Sequence, residues 1–123
     1  MAEKNLDALL RNIRPDLNGG EWVFCAGQYP DALATFRERE GVTSILERGR
    51  ADRLGLPYSY VAAWITLTVH SDLEAVGFLA SVTTALASAG ISCNVVSALH
   101  HDHLFVPSRH AAAAIRILED LSS

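Results

Sequence analysis

No stretch of the 123-residue chain approaches the about eighteen consecutive apolar residues of a bilayer-spanning helix. The opening MAEKNLDALL lacks the basic-then-apolar order of a secretion signal. A cytoplasmic protein with no membrane partner is expected. Cysteine is scarce, with Cys25 and Cys93 both on predicted strands, and a reducing compartment argues against a disulfide between them. Both read as buried free thiols. A nucleophilic Cys93 would need a base beside it, and spacing fixes no histidine there. Ten Lys and Arg against fourteen Asp and Glu give a formal charge of −4. The only basic concentration, Arg37, Arg39, Arg48, Arg50 and Arg53, is interleaved with acids, whereas a phosphate-backbone footprint needs clustered cations. No nucleic-acid partner is expected. Arg48, Arg50 and Arg53, with Glu47 and Asp52, could meet an anionic ligand, but a mixed run of this kind is more often a solvated face. The glycine-rich nucleotide motif, the Walker sequence, a Ser-His-Asp order and His-Glu-x-x-His are all missing. Nothing argues for catalysis or for a cofactor.

What the chain does have is alternation and helical spacing. From Trp64 to His70, Ile65, Leu67 and Val69 point one way and Trp64, Thr66, Thr68 and His70 the other, which is the pattern of a half-buried strand. Ser71 to Glu74 has capping-box spacing and predicts a helix start there. Val76, Leu79, Val82, Thr83 and Leu86 continue at helical spacing, and Gly90 suits a left-handed terminator. Ile91–Ala98 and Leu104–Val106 read as strands around a turn at His100-His101-Asp102. A last helix over Ser108–Leu121, capped by Ser108, buries Ala111, Ala114, Ile115, Leu118 and Leu121. This βαββα order leaves a sheet edge that something must cover. The strands at 21–26 and 42–47 are the candidates.

The N-terminal half supplies them. Leu6, Leu9, Leu10 and Ile13 form a helical stripe that stops at Arg14-Pro15. Asn18-Gly19-Gly20 is a turn, and EWVFCA (21–26) a strand. Pro30-Asp31 opens a predicted helix with Ala32, Leu33 and Phe36 inward, closed by Gly41. Val42–Glu47 is a strand, Arg48–Leu54 contains a helical turn, and 56–60 is a linker. The halves are therefore 1–58 and 59–123. A strand, proline-marked turn and Ala-rich segment recur in both, as WVFC with PDALA and HLFVP with SRHAA, a faint sign of duplication.

The stretch LTVHSDLEAVGFLASVTTALASAGISCNVVSALHHDHLFVP resembles the ACT domain family. The likeness is closest to small stand-alone bacterial proteins with two ACT-like halves, and extends to the regulatory domain of aspartate kinase. The matching features are the first strand, a loop bearing Gly77, a helix of small and aliphatic residues, and the Ala89-Gly90-Ile91 junction. Val76 stands where many ACT domains have proline. The resemblance implies an α+β, ferredoxin-like ACT fold, its two halves forming a pseudo-dimer with antiparallel sheets and helices on one face. It also implies a non-catalytic regulatory protein, dimeric with its own copy, that binds a small effector such as an amino acid.

A helix start offers unpaired amides and the positive end of a dipole, so it can hold a carboxylate without a cationic side chain. Carried over by resemblance, the site takes Asp72, Ala75, Val76, Gly77, Phe78 and Leu79 from the loop. Ser92, Cys93 and Asn94 come from the facing strand of a neighbouring module. Asp72 or Asn94 would take the ligand's ammonium. Against this stands a plain capping role for Ser71, Asp72 and Glu74, with Gly77 only allowing close packing. The same loop could instead pack against a partner protein. His100, His101, Asp102 and His103 form a polar cluster in which His101 and His103 share a face. A metal there needs three or four ligands, and only His70 and Asp102 are at hand to add. A ligand or interface role for His70, His101 and His103 is the other reading.

Overall fold

The Asn5 side chain accepts the Ala8 amide at 2.9 Å and starts helix α1, Leu6–Arg11. The computed structural model describes residues 2–123. After α1 come β1 (Pro15–Leu17), β2 (Trp22–Ala26), β3 (Ala34–Glu38), β4 (Gly41–Glu47), α2 (Arg48–Arg53) and β5 (Val61–Leu67). Then follow α3 (Phe78–Ser88), β6 (Asn94–Ser97), β7 (Asp102–Pro107), a 3-10 turn (Ser108–His110) and α4 (Ala111–Asp120).

The strands form one antiparallel sheet in the order β3-β4-β2-β5-β7-β6, with β1 also on β5. Strand β5 joins the two halves. One edge pairs with β7 from Ala62↔Pro107 to Leu67↔Asp102. The other is shared by β2, through Trp22↔Ala62, and β1, through Pro15↔Leu67. Thus β2 covers the edge as expected, but β4 lies one strand further out, between β2 and β3. β1 does the rest. It opens on a proline, which a strand tolerates at its first residue, and three residues are too few to show alternation.

All the helices lie on one face. Ile65 and Leu67 of β5 and Leu104 and Val106 of β7 pack there against Leu9, Ile13, Phe78, Val82, Leu86 and Leu118. Ala51 of α2 closes over Val23, Cys25 and Leu46. The opposite face buries Ala62, Ile45 and Phe105 beneath Trp22, Phe24, Leu33, Tyr60 and Trp64.

Several local readings change. The segment expected to be a helix from Pro30 to Gly41 is instead the hairpin β3–β4, paired from Ala34↔Ile45 to Glu38↔Gly41. Its apolar spacing fits a helix, but pairing with β4 overrides that, and Phe36 is 73% exposed rather than inward. Ser108 caps nothing, because the last helix is entered through a 3-10 turn without side-chain capping. The strand expected over 64–70 is displaced to Val61–Leu67, because β7 and β2 pair that stretch. The strand expected over 91–98 is confined to Asn94–Ser97, the length paired with β7.

Candidate functional site

Beyond β5 the chain does not enter a helix at Ser71. The Ser71 hydroxyl donates to Asp102 Oδ2 at 2.8 Å, and both residues are buried. Asp72 Oδ1 accepts the Glu74 amide at 2.8 Å and its carbonyl accepts the Ala75 amide at 2.9 Å, a local turn that competes with helix. The N-terminal segment clamps the same loop, as Glu3 donates to the His70 carbonyl at 2.9 Å and accepts from the Asp72 amide at 2.8 Å. The Ser71 side chain expected to cap a helix is therefore spent on holding a loop.

Helix α3 starts only after Gly77, whose φ of +91° lies in the left-handed region. That angle is the reason for glycine here, because an added Cβ would meet only Leu6 Cδ2 at an ordinary 3.5 Å. The cap residue has no side chain to offer, and the first bond into the helix is from the Ser81 amide to the Gly77 carbonyl, 3.0 Å. Among the described residues no oxygen accepts from the amides of Phe78, Leu79 or Ala80. Those amides carry the positive end of the helix dipole.

Beside them is a cavity of about 130 Å³, lined by Ser71, Asp72, Leu73, Ala75, Gly77, Phe78, Leu79, Ala80, Ser97 and Asp102. Asp102 is 4% exposed. One of its carboxylate oxygens holds Ser71. The other has no partner among the described residues, where no fully buried side-chain oxygen is left unpaired, so it keeps some exposure on a residue that lines the cavity. One crevice thus offers free helix-start amides and, brought in from β7 by the sheet and distant in sequence, a carboxylate able to take a cation.

The predicted site residues fall into two groups. Asp72, Ala75, Gly77, Phe78 and Leu79 line the crevice, while Val76 points to solvent. Ser92, Cys93 and Asn94 lie at or before the other end of β6 from Ser97, the strand's contribution to the crevice. They sit near Tyr60, whose phenol donates to the Phe105 carbonyl at 3.2 Å. Burial pushes that phenol up, with Asn94 and Ser92 pulling the other way. Burial also raises the Cys93 thiol to about 11, which keeps it protonated and a poor nucleophile. Ala80, Ser97 and Asp102 are the lining residues that sequence reasoning missed. Asp102 had a signal: it is in phase with the inward Leu104 and Val106, and a carboxylate at an inward position needs a reason.

The histidines separate. The rings of His70 and His100 are 5.6 Å apart at a shallow, open depression that Leu73 and Leu99 also line. His103 is on the face away from the helices, with Nδ1 3.0 Å from Trp64 Nε1. Among the described residues no three His, Cys, Asp or Glu side chains are grouped to hold a metal ion. Of the arginines, Arg48 pairs with Glu21 at 3.0 Å and Arg50 with Asp31 at 2.7 Å. Among the described residues no helix is long and apolar enough to cross a membrane.

Models of the ACT domain match residues 1–63 and, separately, 59–120. No curated protein matches the chain. Among solved structures, a Vibrio cholerae protein of unknown function, described as a possible transport protein, is 41% identical over 96% of both chains with a TM-score of 0.87. An Agrobacterium tumefaciens protein is 18% identical over 90% of both chains, TM-score 0.67. The ligand-free regulatory subunit of aspartate kinase from Thermus thermophilus is 12% identical, covering 87% of this chain and 95% of its own, TM-score 0.61. The last two share the fold. With family models covering both halves, the chain belongs to the ACT domain family and carries two ACT modules.

Proposed function

We propose that this protein is a non-catalytic sensor that binds a small α-amino acid in the crevice at the start of α3. The carrying observation is the pairing of opposite chemistries in one cavity: the free amides of Phe78, Leu79 and Ala80, and the open oxygen of Asp102. A zwitterion satisfies both, its carboxylate on the amides and its ammonium on Asp102, with Asp72 beside it. Size narrows the class. A cavity of about 150 Å³ holds a benzene molecule, so this one, at about 130 Å³, suits glycine, alanine or serine. The working unit is a homodimer in the cytoplasm, with modules 1–58 and 59–123, in which Ser92, Cys93 and Asn94 of a second copy close the crevice.

The exposed Leu73, Val76 and Leu99 around the same loop favour a second reading, a surface for a partner protein with no small ligand. A thermal-shift screen with the twenty amino acids at millimolar concentration separates the two. A ligand at about a hundred times its Kd stabilises the folded state by about 2.7 kcal/mol, which moves the midpoint by several degrees. At least one small amino acid should do so, and Asp102→Asn should abolish the response while leaving the unliganded midpoint nearly unchanged. A flat result for all twenty supports the partner-protein reading instead.

A further inference from the structure

The face of the sheet turned away from the helices plays no part in the crevice, yet it carries Trp22, Phe24, Trp64 and Phe105. Trp22 and Trp64 meet edge-to-face at 5.2 Å, and Phe24 and Phe105 at 5.7 Å, the geometry aromatic pairs prefer. The sheet curls toward this side. Ala34 of β3 and Val96 of β6 stand at opposite ends of the strand order, yet both line the same two adjoining cavities, of about 150 and 140 Å³. Trp64, His103 and Phe105 wall the first, and Phe24, Phe36 and Ile45 the second.

The shape decides between occupants. A second sheet would need an open face to pack against at about 10 Å. Here Ala62, Ile45 and Phe105, the middle of any such interface, are already buried within the chain. What is left is a narrow apolar cleft whose two parts are each about the size that holds one benzene ring.

Its wall includes the polar side chain of His103. An indole N–H can only donate, so the Trp64 Nε1–H bond of 3.0 Å makes His103 Nδ1 an acceptor. Thr66 Oγ1 lies 3.2 Å from the same nitrogen and accepts from Asn18 Nδ2 at 2.9 Å. The neutral ring therefore carries its proton on Nε2, which has no partner among the described residues. An apolar pocket with a single placed donor is the usual make-up of a small-molecule site.

We propose that this cleft is a second binding site, for a flat apolar molecule of one or two rings bearing a hydrogen-bond acceptor, which the His103 Nε2–H orients. It is independent of the amino-acid crevice and stands whether or not that reading holds.

Two probes of nearly equal shape test it: 1-indanone, with a carbonyl acceptor, and indane, without one. Each is titrated into the full chain while the backbone amide resonances and the indole N–H resonances of Trp64 and Trp22 are followed. Saturable shifts centred on Trp64 are expected, with 1-indanone binding about three- to tenfold more tightly, the worth of one hydrogen bond. Val96→Trp, at a partly exposed edge position, should fill the cleft and remove binding of both probes. His103→Leu should bring the two probes to equal affinity. The proposal is overturned if neither probe saturates, if the shifts fall at Phe78 to Ala80 instead, if wild type holds the two probes equally, or if Val96→Trp binds as wild type does.

Discussion

Strand β5 separates two unlike surfaces. Toward the helices it presents Ala63, Ile65 and Leu67, sealed by aliphatic side chains from α1, α3 and α4. Away from them it presents Ala62, Trp64 and Thr66, in a looser aromatic layer that contains cavities. One strand therefore serves two ends: tight packing on one side holds the fold, and imperfect packing on the other leaves room for a molecule. The crevice of α3 lies at the margin of the tight side, where the helix begins and the sheet ends.

Core truncation tests the contrast most strongly. Leu104 is fully buried on the helix side, and Leu104→Ala should cost about 2–5 kcal/mol, read from denaturant unfolding. Gly77→Ala comes next. No clash opposes it, but its left-handed backbone should cost about 1–2 kcal/mol; a neutral result would mean that the loop has another conformation available. A smaller effect belongs to His103. Burial first, then His101, lowers its pKa, with Asp102 opposing. Its folded value lies below the ordinary 6.5, so this contribution to stability is full above that pH and is lost as pH falls through the lower folded value. The melting midpoint of wild type should accordingly fall more steeply from pH 7 to 5 than that of His103→Gln. Least of all, Phe36→Ala at the exposed end of the aromatic face should stay within about 0.5 kcal/mol. A loss comparable to Leu104→Ala would erase the distinction between the two surfaces.

How much of this could be read from the chain depended on how local the cause was. The Leu6-Leu9-Leu10-Ile13 stripe, the strand of EWVFCA and the helical turn after Glu47 all appear, because periodicity within a few residues decides them. The hairpin at 34–47 was missed because Ala32, Leu33 and Phe36 have helical spacing, and only pairing with Ile45 and Thr43 makes that segment a strand. β1 exists because β5 has a free edge next to it. The late start of α3 has a similar origin, since Ser71 is drawn to Asp102, thirty-one residues away, rather than to its own helix. The crevice was legible where the loop itself builds it and not where β6 and β7 do, because the Ser97↔Asp102 pairing cannot be inferred from spacing.

The central claim is that the amides of Phe78, Leu79 and Ala80 hold the carboxylate of a small amino acid. Backbone amide spectra recorded while glycine, alanine or serine is titrated in test it most directly. The account predicts saturable downfield shifts at those three amides for at least one of them, absent when the ligand's amino group is replaced by hydroxyl. Spectra that stay unchanged there, or that respond equally to the hydroxy acid, would contradict it.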